Sequence, residues 1–249
     1  MKNPWQELGK RPLVAASLGG GERLVDAARR ASKLGADLLE VRVDTLKPKE
    51  RQNISSILQA VKDISSCPII VTVRSPAEQA PSQKTSVDER ERQIIFEDSL
   101  PFADAIDVEI ESKAEMNELL GKARAKGAKI ILSYHDFTGI PRPDKLASLL
   151  KSFEGMGGDI LKIAGMAKTY EDVTRIFSLS MALAGTQRIV IGMGEAGRIS
   201  RVAGFLYGSC ITYGFMNTPT APGQLSVEEL IDSCALFYPT YARARVKKG

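Results

Sequence analysis

Eight short runs of apolar and β-branched residues recur along the chain, and each is followed by a stretch of helical periodicity. The runs are Leu13–Leu18, Asp37–Val43, Ile69–Arg74, Ala105–Ile110, Lys129–Tyr134, Ile160–Ile163, Arg188–Gly192 and Ile211–Phe215. Such residues fit a pleated, buried surface, so these runs read as strands. Between them, Leu146, Leu149, Leu150 and Phe153 follow i, i+3, i+4, i+7 spacing. Val173, Ile176, Phe177, Met181 and Ala184 do much the same, as in a helix with one buried face. Gly35, Gly127, Gly157 and Gly185 fall where a helix would end before the next strand. No Pro/Gly/Ser-rich linker interrupts this β-then-α order. The pattern predicts an α/β fold, a (β/α)8 TIM barrel forming a single domain over residues 1–249. An open doubly wound sheet is the competing arrangement. The longest connection, Ser75–Arg92, is expected to be helical in its latter half.

In a barrel the C-terminal strand ends build the active site, and alternate residues of each strand point inward. On the second strand Glu40 and Arg42 share the inward side, while Val41 and Val43 face the helices. A Glu–Arg pair of this kind can be purely structural. Arg74 ends the third strand, with Glu78 in the loop beyond. Asp107 and Glu109 alternate inward on the fourth and read as an internal polar network, with no chemical step assigned. His135, the only histidine, closes the fifth strand; a lone histidine is more often structural than catalytic. Lys162 interrupts the apolar run of the sixth. Lysine is rarely buried, and burial in an apolar pocket disfavours the ammonium. A neutral amine there attacks carbonyls to form a Schiff base. A snorkelling strand-end lysine is the structural alternative. Arg198 and Arg201 open a helix after the seventh strand, a natural place for a carboxylate or phosphate. In the loop Asn217–Gln224, two prolines and a glycine stiffen the chain, and Thr220 and Gln224 come within reach of a ligand.

Gly192-Met193-Gly194-Glu195-Ala196-Gly197 matches G-x-G-x-x-G. A dinucleotide fold also needs an acidic residue about 20 positions on for the ribose. From Arg198 to Val227 there is none, and the motif lies in the seventh βα unit, not the first. A turn that lets the backbone approach a neighbour closely is the better reading.

Composition narrows the classes. Hydrophobic residues make up 43% and charged residues 26%, ordinary for a globular protein. Cys67, Cys210 and Cys234 are scattered, without a CxxC or Cys/His cluster. This predicts free thiols in a reducing cytoplasm and no metal site. No apolar leader and no run of 18 apolar residues occur, so export and membrane insertion are not expected. The basic tail Tyr241–Gly249 lacks the basic stripe and stacking aromatics of a nucleic-acid surface, and is read as a solvated end of the last helix. The net charge of +4 favours a small anionic substrate.

Taken in order, Glu40-Val41-Arg42-Val43-Asp44, Thr72-Val73-Arg74-Ser75 with Glu78, Ser133-Tyr134-His135-Asp136-Phe137, Asp159-Ile160-Leu161-Lys162-Ile163-Ala164, Gly197-Arg198-Ile199-Ser200-Arg201 and Ala221-Pro222-Gly223-Gln224 resemble the type I 3-dehydroquinate dehydratases. The similarity runs from about Leu13 to Leu236. It implies a (β/α)8 barrel, commonly a homodimer, that acts on 3-dehydroquinate without metal or organic cofactor. By the same resemblance Lys162 forms the imine, and His135, hydrogen-bonded to Glu78, shuttles the proton. Glu40, Arg42 and Arg74 hold substrate hydroxyls and order the pocket, Ser17 lines it, Arg201 pairs with the substrate carboxylate, and Gln224 closes over the substrate. The family loop often has serine where Thr220 stands here. The segment Gln79–Lys84 lacks the glycines usual in that stretch. Two other readings use the same residues: a class I aldolase with a sugar phosphate on the Gly192–Gly194 turn, or a barrel that only binds a carboxylate ligand.

Overall fold

Each apolar run forms a strand in the computed structural model, which describes residues 3–21, 23–80, 87–112 and 116–246. The strands are β1 Leu13–Leu18, β2 Leu38–Arg42, β3 Ile69–Thr72, β4 Ala105–Glu109, β5 Lys129–Asp136, β6 Ile160–Met166, β7 Arg188–Met193 and β8 Ile211–Phe215. Consecutive strands pair in parallel from β1 to β7, and β8 pairs with β1. Between β7 and β8 the ladder thins to one bridge, Arg188 with Ser209, where Cys210 N–H donates to the Arg188 carbonyl at 2.8 Å. The result is a nearly closed (β/α)8 barrel with helices between its strands.

Strand lengths depart from the apolar runs in two ways. β5 and β6 run on to Asp136 and Met166, because His135 pairs with Ala164 and Asp136 with Gly165. Those small and polar residues carry no apolar signal, yet their backbone continues the ladder. β3 stops at Thr72: the Val73 carbonyl is taken by the Arg92 guanidinium at 2.8 Å instead of a neighbouring strand.

Two cores follow from the alternation. Outward residues such as Val14, Leu39, Val71, Ile106, Ile130, Leu161 and Val190 pack against the helices. The inward residues divide by height. Leu13, Leu38, Ile70, Ala105, Ile131, Ile160, Ile189 and Ile211 form an apolar lower layer, covered from below by Trp5 and Leu8. Two residues further along β2 to β6 stand Glu40, Thr72, Asp107, Ser133 and Lys162, and on β1 Ser17 lies two residues beyond Ala15; all are buried. The lower layer is apolar and the upper layer polar, at the strand ends where barrels of this kind carry their sites.

Helix Leu24–Leu34 ends at Gly35, whose φ of 93° lies in the left-handed region and turns the chain back towards β2. The long connection is helical from Glu89 to Ser99; residues 81–86 lie outside the described residues. The last helix, Pro239–Val246, does not hold a purely solvated charge. Arg245 donates to the carbonyls of Leu34 at 2.7 Å and Gly35 at 3.1 Å, clamping the end of the first helix. Lys247 and Lys248 are outside the described residues. No described helix is long and apolar enough to cross a membrane.

Candidate active site

A cavity of about 550 Å³, counting its open mouth, occupies the C-terminal end of the barrel. Its lining includes Ser17, Glu40, Arg42, Arg74, Glu78 and His135. Lys162, Arg201, Thr220 and Gln224 also face it, so the candidate catalytic and substrate-binding residues reach this one space, whereas Asp107, Glu109 and Arg198 do not line it. They come from different strands and loops, brought together by barrel closure.

Lys162 is 5% exposed, so it does not snorkel to solvent. Its surroundings are also not the apolar pocket expected from the sequence. Nζ donates to Asp107 Oδ2 at 2.7 Å, lies 3.8 Å from Glu40 Oε1 and sits 4.3 Å from the centre of the Tyr213 ring. The physical reason is the alternation itself: the inward positions level with Lys162 on β2 and β4 carry carboxylates. Glu40 is fixed by Ser17 Oγ at 2.5 Å and Thr72 Oγ1 at 3.0 Å.

Arg74 forms the hub of the internal network. Nη2 lies 3.0 Å from Asp107 Oδ1, and Nη1 donates to Glu109 Oε1 and Ser133 Oγ, both at 2.8 Å. Ser133 Oγ donates in turn to Asp107 at 2.7 Å. Burial alone would raise the Asp107 carboxyl, but Arg74 and Lys162 outweigh it and hold it well below the usual carboxylate range. The same pairing holds Arg74 firmly cationic against the opposing effect of burial. Arg42 does not pair with Glu40. Its guanidinium is bidentate on Asp44, at 3.0 and 2.8 Å, because the chain turns at Val43–Thr45 and brings Asp44 back over it.

His135 and Glu78 form a second unit. The backbone N–H and Nδ1 of His135 both lie 2.9 Å from Glu78 Oε2. With Oε2 accepting from both, Nδ1 carries the ring proton and Nε2 becomes the proton acceptor. Burial, then the charges of Arg74 and Lys162, hold the imidazole well below its ordinary 6.5. His135 is therefore neutral near pH 7, a base by environment more than by intrinsic value. Burial, reinforced by Glu109, lifts the Glu78 carboxyl to about 8. Its ordinary value is 4.5, so the native fold favours the protonated form. The stability Glu78 contributes is complete below pH 4.5 and is lost as pH rises through about 8. Thermal melts at about pH 4.5 and about pH 9 should therefore show a larger loss for the wild type than for Glu78→Gln. Equal losses would remove the claim.

Arg201 is 4% exposed and donates to carbonyls: Gly223 at 3.0 Å, Tyr213 and Pro222 at 3.4 Å. Burial, then Arg198, lowers it to about 10. Among the described residues no carboxylate pairs with this guanidinium, which is the setting for a bound anion. Above it, Thr220 donates to Gln224 Oε1 through its N–H at 2.6 Å and its hydroxyl at 3.0 Å. Gln224 Nε2 reaches Ser17 Oγ at 3.4 Å, joining the last loop to β1. Of the segment Gln79–Lys84, Gln79 Nε2 donates to the Arg74 carbonyl at 2.9 Å, and residues 81–84 lie outside the described residues.

The Gly192–Gly197 motif closes on itself. A Cβ on Gly197 would meet the Gly192 carbonyl carbon at 2.4 Å, so the glycines serve close packing of the turn on β7. Gly194 N–H donates to Pro222 at 3.1 Å and Gly192 N–H to Ser200 Oγ at 2.8 Å. Neither amide is left to hold a phosphate.

Sequence reasoning missed Tyr213, Arg92 and the part Asp107 plays at Lys162. Tyr213 was legible as the second inward position of β8. Among the described residues no group of three or more His, Cys, Asp or Glu is arranged to bind a metal.

A family model of type I 3-dehydroquinase matches residues 13–238. The chain is 34% identical over 210 residues to a 3-dehydroquinate dehydratase of Aquifex aeolicus, covering 84% of this chain and 92% of that protein. It is 33% identical over 229 residues to one of Methanosarcina acetivorans, covering 90% and 94%. Among solved structures, a type I 3-dehydroquinate dehydratase of Clostridium difficile with covalently modified comenic acid superposes with a TM-score of 0.83 at 26% identity, covering 94% and 95%.

Proposed function

The chain belongs to the type I 3-dehydroquinase family, and from that premise we propose that it dehydrates 3-dehydroquinate to 3-dehydroshikimate, a shikimate-pathway step towards aromatic amino acids, through an imine on Lys162. The observation that carries this reading is a buried amine and a neutral imidazole facing one cavity with a guanidinium that, among the described residues, is paired with no carboxylate. The Clostridium difficile relative was solved with covalently modified comenic acid, which supports a covalent mechanism.

Lys162, once deprotonated, adds to the ketone; the carbinolamine loses water and becomes an iminium. Asp107, ionised at any working pH, faces the new cation and stabilises it. The iminium draws electrons from the adjacent carbon, and His135 Nε2 removes its proton. The enamine expels the hydroxyl on the next carbon, His135 returns the proton to the departing water, and hydrolysis frees the product. Glu78 keeps the imidazole tautomer and orientation. Glu40, Arg42 and Arg74 hold substrate hydroxyls and order the pocket, and Ser17 lines it. Arg201 anchors the carboxylate, so the ring presents its ketone to the amine. Thr220 and Gln224 close the last loop over the substrate.

The product is a conjugated enone, so an ultraviolet absorbance rise on adding 3-dehydroquinate tests the activity; no rise contradicts it. In Arg201→Ala the KM should increase about 10²-fold, the cost of removing one member of a buried charge pair. An unchanged KM would remove the anchoring role. The aldolase reading loses its phosphate site, because the Gly192 and Gly194 amides are already engaged.

Two chains associate as a homodimer. Leu206, Leu236 and Phe237 are exposed where the turn Gly204–Tyr207 meets the end of helix Val227–Phe237, which Phe205 and Tyr238 join edge-to-face at 5.4 Å. Light scattering should return the mass of two chains; a single-chain mass counts against it. The three free thiols fit a cytoplasmic enzyme.

A further inference from the structure

Arg92 contributes nothing to the chemistry above, yet it heads the fully buried side chains by volume. It stands on helix Glu89–Ser99, outside the barrel, and its guanidinium reaches inward. Nε donates to the Val73 carbonyl at 2.8 Å, Nη1 pairs with Glu89 at 2.6 Å, and Nη2 pairs with Glu109 Oε2. The opposite oxygen, Glu109 Oε1, accepts from Arg74 Nη1 at 2.8 Å and Ser75 N–H at 3.0 Å. Glu109 is thus held between two guanidiniums, and Val73 is the residue immediately before Arg74. Arg92 fixes both the main chain and the carboxylate on which the Arg74 geometry depends. Arg74 in turn shares Asp107 with Lys162.

Stability does not account for such a residue. A buried ion cluster is commonly matched or bettered by apolar side chains of similar volume. We propose that Arg92 is a positioning residue: through Glu109, Arg74 and Asp107 it sets where the Lys162 amine sits, without touching substrate. The proposal rests on the reading of the cavity as a dehydratase site.

Arg92→Met keeps the length of the side chain and removes its charge and donors. The expected result is a kcat about tenfold or more below wild type, with KM for 3-dehydroquinate within about twofold, since misplacing a reacting group slows chemistry while the carboxylate anchor is untouched. Borohydride trapping on Lys162 should slow in parallel. Arg92→Lys, which keeps a cation towards Glu109 but loses the fork, should fall between the two. If Arg92→Met does not fold, Arg92→Lys decides: reduced kcat at unchanged KM supports the proposal, and wild-type kcat overturns it. A folded Arg92→Met with wild-type kcat also overturns it, whatever its melting temperature. A wild-type protein that makes no enone overturns the dehydratase reading and this proposal together. Wild-type turnover beside an indifferent Arg92 variant overturns the proposal alone.

Discussion

Lys162→Ala should reduce turnover of 3-dehydroquinate on the order of 10⁶-fold, the scale seen when a covalent nucleophile is removed. The barrel should survive the change. Asp107 keeps Arg74 at 3.0 Å and Ser133 at 2.7 Å, and Glu40 keeps Ser17 and Thr72, so neither carboxylate is abandoned. A lower melting temperature is expected all the same, because a buried charge cluster has lost one of its cations. Substrate should still bind, since Arg201 does not depend on Lys162 for any contact. The informative combination is therefore a folded protein that binds and does not react. A folded Lys162→Ala protein that turns over would end the imine mechanism.

His135→Ala should lower turnover about 10²- to 10⁴-fold, the usual range for one positioned acid–base group. Its effect differs in kind from that at Lys162. Addition of the amine to the ketone can still proceed, so substrate should accumulate on the enzyme at the imine stage. Trapped adduct should then carry the mass of unreacted substrate, and exchange of the adjacent carbon-bound hydrogen with solvent should stop. The pH dependence follows from the same site. Because burial, Arg74 and Lys162 hold the imidazole well below 6.5, His135 should remain a competent base on the acid side of neutrality. An imidazole NMR titration centred at or above 6.5 would show that the imidazole is not held down, and retained activity in His135→Ala would remove its role as base.

The parts of this protein that were legible in its sequence are those governed by short-range periodicity. Period-two alternation placed Glu40 and Asp107 inside the barrel, the apolar run around Lys162 marked that lysine, and helix spacing with glycine stops placed the outer layer. The strand ends were less legible. β6 continues through Ala164, Gly165 and Met166 because its neighbours continue, and residue type carries no trace of that. Partnerships between strands were the hardest. Arg42 could be placed beside Glu40 by spacing, but its partner is Asp44, which the turn at Val43 folds back. Lys162 could be identified as buried, but not as ion-paired, since the register that sets it against Asp107 belongs to the closed barrel. Arg92 was invisible. In Glu89-Arg90-Glu91-Arg92 it reads as one more charge on a solvated helix face, and only the tertiary fold turns it inward.

The most direct measurement is mass spectrometry of the protein treated with borohydride in the presence of 3-dehydroquinate. Borohydride reduces an imine to a stable amine, so the peptide containing Lys162 should gain the mass of the reduced substrate or product adduct. The Lys162→Ala protein should gain none. An active enzyme that acquires no adduct, or carries it on a different lysine, would contradict the account.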